Sequence, residues 1–359
     1  MALTVVCLLG IQLFAYNSIN YNAKNGIASN AVHKIYIDKT HRIWLGTGNG
    51  ISCLTGNGIV NYGYKEGLTC NRVSNFFESS DGRFWISSVG KGLYELKNNR
   101  FYNSHFTFSD FSNDCGQLIE HKGWLFIGSE EGAHGLNLKT NHFYRFPAQG
   151  RKKALQGVRF FEWKNELYAQ SFIFGTFRVN LNTLKLDSVR YDEYLNRWNF
   201  GLAQMKDTLF LCRSKYMKTL HHNLFFSLTG NYLQGGKMDS LEISTLVWKM
   251  TPTPLGLMAA CWGARDASGG LFLRMGKKMV NINEQFGLTS TQLTDVVYDG
   301  KLKKLYVGTR DKGLYVYDFN TIISKEKIEA KSDILHLKII GNKLFILNIS
   351  NFIFNSIFC

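Results

Sequence analysis

An all-β fold is what the sequence predicts, a β-propeller of four-stranded antiparallel blades, and three observations carry the expectation. A unit of three short strands recurs along the chain with a period of 41 to 48 residues. Strands within each unit are bounded by Gly, Asp and Asn turns, as half-buried antiparallel strands usually are. No extended helical periodicity competes with them. A fixed period of this size is that of propeller blades, which bury their two faces only by stacking in a ring. Seven blades followed by a partial eighth unit are expected, with an eight-bladed closure as the alternative.

The clearest copy is residues 67–96. A lead-in turn with Gly67, Leu68 and Asn71 precedes an alternating strand at 73–77. A polar turn, 79–83, leads to a strand centred on Trp85. A glycine-bearing loop, 87–92, hands the chain to a third strand at 93–96. At an offset of 41, Gly26, Asn30 and Val32 match Gly67, Asn71 and Val73, and Trp44 matches Trp85. Downstream, Phe126, Tyr168 and Phe210 take the central aromatic position, and the pattern then blurs. Residues 257–260 are the candidate sixth central strand, with 270–273 after them. The match sharpens at Gly287, Tyr306 and Gly313, and 343–347 belongs to the incomplete eighth copy. Fourth strands are expected at 58–62, 99–103, 142–146 and 185–191. Residues 16–21 can supply a closing strand. The central aromatics read as packing between blades rather than as ligand contacts.

A chain of 359 residues with 45% hydrophobic and 14% aromatic side chains can bury a large core, and only three prolines argue against a disordered linker. The 42 Lys+Arg against 27 Asp+Glu leave a formal charge of +15, which favours acidic partners. That charge is spread along the chain, without the runs expected of a nucleic-acid binder. Seven cysteines form no Cys-x-x-Cys pair and no zinc spacing, and read mostly as small core residues. Residues 1–15 form a short apolar run that reads as a signal peptide cleaved after Ala15, which places the protein in the periplasm or outside the cell.

The repeats resemble the two-component regulator propeller repeat, a G-L-x-x-N-x-V segment followed by D-x-x-x-x-I-W-L-G-T-x-x-G-L. Gly26 to Ile51 carries it through Asn30, Val32, Asp38, Trp44, Gly46, Thr47 and Gly50. A second copy, from Gly67 to Leu93, has Ser87 and Ser88 in place of Gly-Thr. A third, from Gly287 to Leu314, has Tyr306 for Trp and Thr291 for Asn. The resemblance implies the periplasmic sensor region of a Bacteroidetes-type hybrid two-component system that recognises oligosaccharides and regulates a histidine kinase region in the same chain. No kinase region is legible here, so the sequence reads as a truncated sensor: a propeller over 16–331 and an incomplete eighth unit over 332–359, either the start of a second propeller or a closing blade. A secreted glycan-active hydrolase or lyase and a non-functional sensor fragment are the alternatives.

No phosphate loop, H-E-x-x-H or nucleophile elbow appears, so no catalytic residue, metal or cofactor is expected. The binding face is placed by topology. The loop leading into each innermost strand and the loop joining the second and third strands open together around the central channel, where ligands sit. Those loops carry Arg72, Lys91, Arg159, Arg197, Trp198, Arg213, Lys215, Trp262, Arg265 and Arg310, besides Asn30, His33 and Asn71. Aromatic faces stack on sugar rings, and Arg forks hold carboxylate or sulfate. An oligosaccharide, acidic by hypothesis, is the expected partner. Nucleic acid is not, and a homodimer is left open.

Overall fold

The computed structural model describes residues 18–70, 72–104, 116–129, 132–147, 157–171, 175–189, 199–206, 208–216, 219–229, 238–243, 245–263, 268–276, 278–320, 334–340, 343–348 and 355–358. These form four-stranded antiparallel sheets in chain order. Sheet 1 comprises Val32–Ile37, Ile43–Thr47, Gly50–Thr55 and Gly58–Tyr62. Sheet 2 comprises Val73–Glu78, Phe84–Ser88, Gly92–Lys97 and Arg100–Asn103. Sheet 3 runs from Leu118–His121 through Trp124–Ser129 and Gly132–Asn137 to Phe143–Phe146. Sheet 4 holds Val158–Trp163, Glu166–Ser171, Gly175–Asn180 and Lys185–Ser188. Sheet 5 holds Asn199–Met205, Thr208–Tyr216, Thr219–Thr229 and Met238–Ile243. Sheet 6 holds Leu246–Thr253, Gly256–Trp262, Gly270–Met275 and Lys278–Asn281.

Sheet 7 joins the two ends of the ring. Leu293–Asp299, Lys304–Thr309 and Leu314–Asp318 take their fourth strand from Ser18–Tyr21, which pairs with Leu314–Asp318. The expected closing strand thus lies at the N-terminus, and the strands Ile334–Ile340, Lys343–Asn348 and Asn355–Phe358 form a three-stranded sheet of their own. The protein is a propeller of four-stranded antiparallel blades. Against the seven or eight blades expected, six are described with their side chains. The difference falls on sheet 5, which is described largely as backbone and lies in the stretch where the repeat blurs in sequence.

Packing between blades explains the repeated motif. Trp44 of sheet 1 is 1% exposed and packs against Phe76, Phe84 and Ile86 of sheet 2. Trp85 lies with Leu118, Leu125 and Ile127 of sheet 3, and Phe126 with Phe160 and Phe177 of sheet 4. Phe210 joins Val247 and Met250 of sheet 6, and Tyr306 joins Val32, Ile35 and Leu45 of sheet 1. Each of these aromatics fills the seam to the next sheet, and burial of such large side chains is the main term holding the ring closed. The glycine after the aromatic has its own cause. A Cβ on Gly46 would stand 2.9 Å from the Val73 carbonyl oxygen, and one on Gly128 would stand 2.1 Å from that of Val158. The motif needs glycine there because the neighbouring innermost strand passes against its backbone.

The aspartate of the motif ties a turn to the aromatic. Asp38 Oδ2 accepts from Trp44 Nε1 at 2.9 Å and Arg42 Nε at 2.6 Å, while Oδ1 accepts from the Thr40 and Arg42 N–H groups. Burial pushes the Asp38 carboxyl upward, but these hydrogen bonds outweigh it and hold the group below its ordinary range. In sheet 2 the Ser79 hydroxyl receives the Trp85 N–H at 3.1 Å instead. On this same end of the ring, His41 meets Asp299 at 2.7 Å, Lys39 meets Glu78 at 3.6 Å, and His121 meets Glu162 at 2.6 Å. Each of these contacts joins one sheet to the next. Cys53, Cys70, Cys212 and Cys261 are buried and unbonded, the core role expected of them. Burial raises their thiols, that of Cys53 to about 11.

Candidate functional site

The innermost strands of the sheets enclose a channel of about 970 Å³, at the upper end of the volumes that hold small ligands. All these strands run the same way along it. Their first residues therefore share one mouth, and their last residues, with Asp38 and Asp299, share the other end. His33, Arg72, Arg159, Trp262 and Arg310 line the channel at the first mouth.

The innermost strands are not simple alternating strands. In sheets 1, 2, 6 and 7 the pairing register slips by one residue, between Val32 and Lys34, Val73 and Asn75, Val247 and Lys249, and Leu293 and Asp295. Each slip is a β-bulge, which re-aims a side chain and bends the strand. His33, Ser74, Trp248 and Thr294 occupy the bulges, and all four line the channel. The expectation of uniform alternation at 73–77 is corrected by this finding. A signal for it stands in the sequence. The buried apolar residues of these strands, Val32 and Ile35, Val73 and Phe76, Val247 and Met250, Leu293 and Val296, are three apart rather than two.

Trp262 and Arg310 are held in place from below by sheet 7. Trp262 bridges to Gln292, the Gly263 N–H donates to the Thr291 carbonyl at 2.9 Å, and the Arg310 N–H donates to the Gln292 carbonyl at 3.0 Å. The Arg310 guanidinium lies 4.6 Å from the centre of the Trp262 ring, which in turn lies 5.5 Å from the Trp248 ring. Stacking of this kind leaves the guanidinium edge directed outward and fixes the fork without a carboxylate. Beside them, burial, with Arg72 and Arg310 nearby, pushes the His33 imidazole down to about 4. His33 is therefore neutral near pH 7, able both to donate and to accept.

Further along the channel, Asp295 is buried and accepts the Ile35 N–H at 2.9 Å, with Lys34 Nζ 3.1 Å away. Gln117 exchanges two hydrogen bonds with the backbone of Phe160, each of 2.9 Å. These side chains stitch neighbouring innermost strands together across the seams. Lys34, Arg72, Arg159, Lys249 and Arg310 line the channel against Asp38, Asp295 and Asp299. Asp38 and Asp299 belong to the far end and are engaged there. For Asp299, burial works upward, but N–H groups of Leu302 and Lys301 and the His41 ring hold the carboxyl below its ordinary range. The mouth is cationic and aromatic.

Of the residues expected at the site, Arg72, Arg159, Trp262 and Arg310 are brought together at this channel, and so is His33. Lys91 is exposed on the loop before Gly92–Lys97 and is not part of the channel wall. Asn30 is a turn residue, its Oδ1 accepting the Ala23 N–H at 2.8 Å. Arg213 and Lys215 lie in the strand Thr208–Tyr216, at positions where only the backbone is described. Arg197, Trp198, Arg265 and Asn71 lie outside the described residues. Sequence reasoning missed Trp248, Lys249, Lys34 and Gln170, because it sought the site in loops rather than on the innermost strands. Among the described residues, no three His, Cys, Asp or Glu side chains cluster to hold a metal ion, and no helix is long and apolar enough to cross a membrane.

Comparison with known proteins agrees with the repeat and the ring. Residues 26–49 match a family described as "Two component regulator propeller". The fold resembles the extracellular domain of BT3049 from B. thetaiotaomicron, described as a hybrid two component system, with a TM-score of 0.64 at 15% identity over 92% of this chain. It resembles that of BT4673 from the same organism with a TM-score of 0.63 at 14% identity, again over 92% of this chain. The chain spans 46% and 44% of those two chains. No curated protein sequence matches it. Residues 26–49 thus carry the two-component regulator propeller repeat, and the fold of the chain is that of a β-propeller.

Proposed function

We propose that this chain is the ligand-binding propeller of an extracytoplasmic sensor and that its channel mouth binds an oligosaccharide bearing carboxylate or sulfate groups. In this reading sheets 1 to 7 close as one ring of seven blades over residues 16–331, and 332–359 begin a further unit. The observation that carries it is the convergence of Arg72, Arg159 and Arg310 with Trp262 at one mouth. A tryptophan face stacks on a pyranose ring, and an arginine fork receives a planar carboxylate or a sulfate edge in two parallel hydrogen bonds. The extracytoplasmic setting is supported by the extracellular domains that share the fold. By the same analogy, the output of binding is a histidine kinase region of the full-length sensor.

Binding rather than turnover is what the carboxylates favour. Glycoside hydrolysis generally needs one carboxyl held protonated beside one that is ionised. In the channel Asp38 and Asp299 are both held toward the ionised form and tied to their own turns. Isothermal titration of the chain with uronic-acid-containing, sulfated and neutral fragments of equal length tests the proposal. Saturable binding confined to the acidic fragments, weakening as salt rises, is the expected result. Equal affinity for neutral and acidic fragments, or none for the acidic ones, would overturn it.

A further inference from the structure

Along the channel wall stands a group of donors that shares Arg159 with the mouth and extends to Lys249 and Gln170. Lys249, on the innermost strand of sheet 6, and Arg159, on that of sheet 4, line the same wall space as Lys34 of sheet 1. Lys249 makes no ion pair among the described residues. Asp295, the carboxylate beside Lys249 among the described residues, is already held by the Ile35 N–H and by Lys34. Across the strand pair from Arg159 is Gln170, which lines the channel and is only 3% exposed. Its Nε2 has no hydrogen-bond acceptor. A buried amide N–H without an acceptor is costly, and a half-buried ammonium outside any ion pair adds to that cost. A lining that offers the Gln170 N–H and the Lys249 ammonium beside a carboxylate that is already engaged is complementary to an oxyanion.

We propose that Lys249, Arg159 and Gln170 form an oxyanion site inside the channel, which takes a single carboxylate, sulfate or phosphate group. The site shares Arg159 with the sugar-binding reading but rests on Lys249 and Gln170, and a free inorganic ion has the same chemistry there as an acidic substituent reaching in from the mouth. Charge balance in the channel agrees with it. Burial, then Lys34 and Arg159, push the Lys249 ammonium down to about 8 against the opposing pull of Asp295, and a bound anion would move it back up.

The test is thermal unfolding of the whole chain in increasing sodium sulfate or phosphate, with chloride holding ionic strength constant. A saturable rise in Tm is expected for the unmodified chain and for Lys278→Gln, which removes an equal charge from an exposed outer strand. Lys249→Met is expected to weaken the apparent sulfate affinity by at least about tenfold. Without sulfate its Tm is expected to equal or exceed that of the unmodified chain, because a half-buried charge crowded by Lys34 and Arg159 has been removed. Gln170→Met, which keeps the charge, provides a second reading if Lys249→Met does not fold, with a smaller loss of sulfate affinity expected. A sulfate response that never saturates, or one that is the same in Lys249→Met as in the unmodified chain, would overturn the proposal. The source of the anion is read by competition. Saturating sulfate that weakens the binding of a sulfated oligosaccharide places the sugar's acidic group in this site, and independent binding assigns the site to the free ion.

Discussion

Arg310→Ala is expected to weaken binding of an acidic oligosaccharide by ten- to hundredfold, about 1.5–3 kcal/mol, while leaving the stability of the ring nearly unchanged. The stability half follows from exposure. Arg310 is a surface side chain, and its backbone bond to the Gln292 carbonyl survives truncation. The binding half follows from geometry. The guanidinium is stacked on Trp262 at 4.6 Å, so its fork is positioned before ligand arrives and little rotamer entropy is lost on binding. Arg310→Lys keeps the charge but not the fork, and is expected to fall between the two. Titration calorimetry at fixed salt reads all three proteins. Because the His33 ring is neutral above about pH 5, with burial and the two arginines holding it down, affinity is expected to be flat from pH 5 to 7. An affinity that rises steeply as pH falls through 6 would show that a histidine, not the arginines, supplies the charge.

Trp44→Ala is expected to cost about 3–5 kcal/mol of stability, measured as the shift in a urea unfolding curve. Trp44 is nearly fully buried, and its ring meets Tyr62 at 5.7 Å and Phe84 at 4.7 Å between ring centres. Truncation opens a cavity across the seam of sheets 1 and 2, and it also removes the N–H bonded to Asp38. Trp44→Phe fills most of the cavity and loses only that bond, so about 1–2 kcal/mol is expected. The same reasoning makes Asp38→Asn milder than Trp44→Ala. A loss for Trp44→Ala under about 1 kcal/mol would contradict the assignment of the central aromatics to the seams between blades.

Much of the ring was legible in the sequence because its causes are local and repeated. A turn aspartate, an aromatic and a glycine recur at one spacing, and each has a steric or hydrogen-bonding reason to stand there. Blade closure was legible too, since Ser18–Tyr21 is a short alternating segment lying outside the first complete unit. The blurred region was harder. In sheet 6 the central position is Ala259, between Met258 and Ala260, and the bulk comes instead from Phe210, Met250 and Phe272 around it. No aromatic marks the centre of that strand, whose one aromatic, Trp262, stands at its end. The channel lining was legible in half. Arg72, Arg159, Trp262 and Arg310 were reached by counting loops, but Trp248 and Lys249 depend on a register slip within a strand. Their signal was the three-residue spacing of Val247 and Met250. A strict period-two reading passes over it.

The central claim is that ligand enters at the mouth carrying Arg72, Arg159, Trp262 and Arg310. Hydrogen exchange of the whole chain, with and without a saturating acidic oligosaccharide, tests it most directly. The account predicts added protection at the starts of the innermost strands and in the loops beside them, around residues 32–34, 72–75, 158–160, 247–249, 262–263 and 309–311. Protection concentrated instead at the opposite end, around His41, Asp81 and Lys301, or along the exposed outer strands, would contradict it.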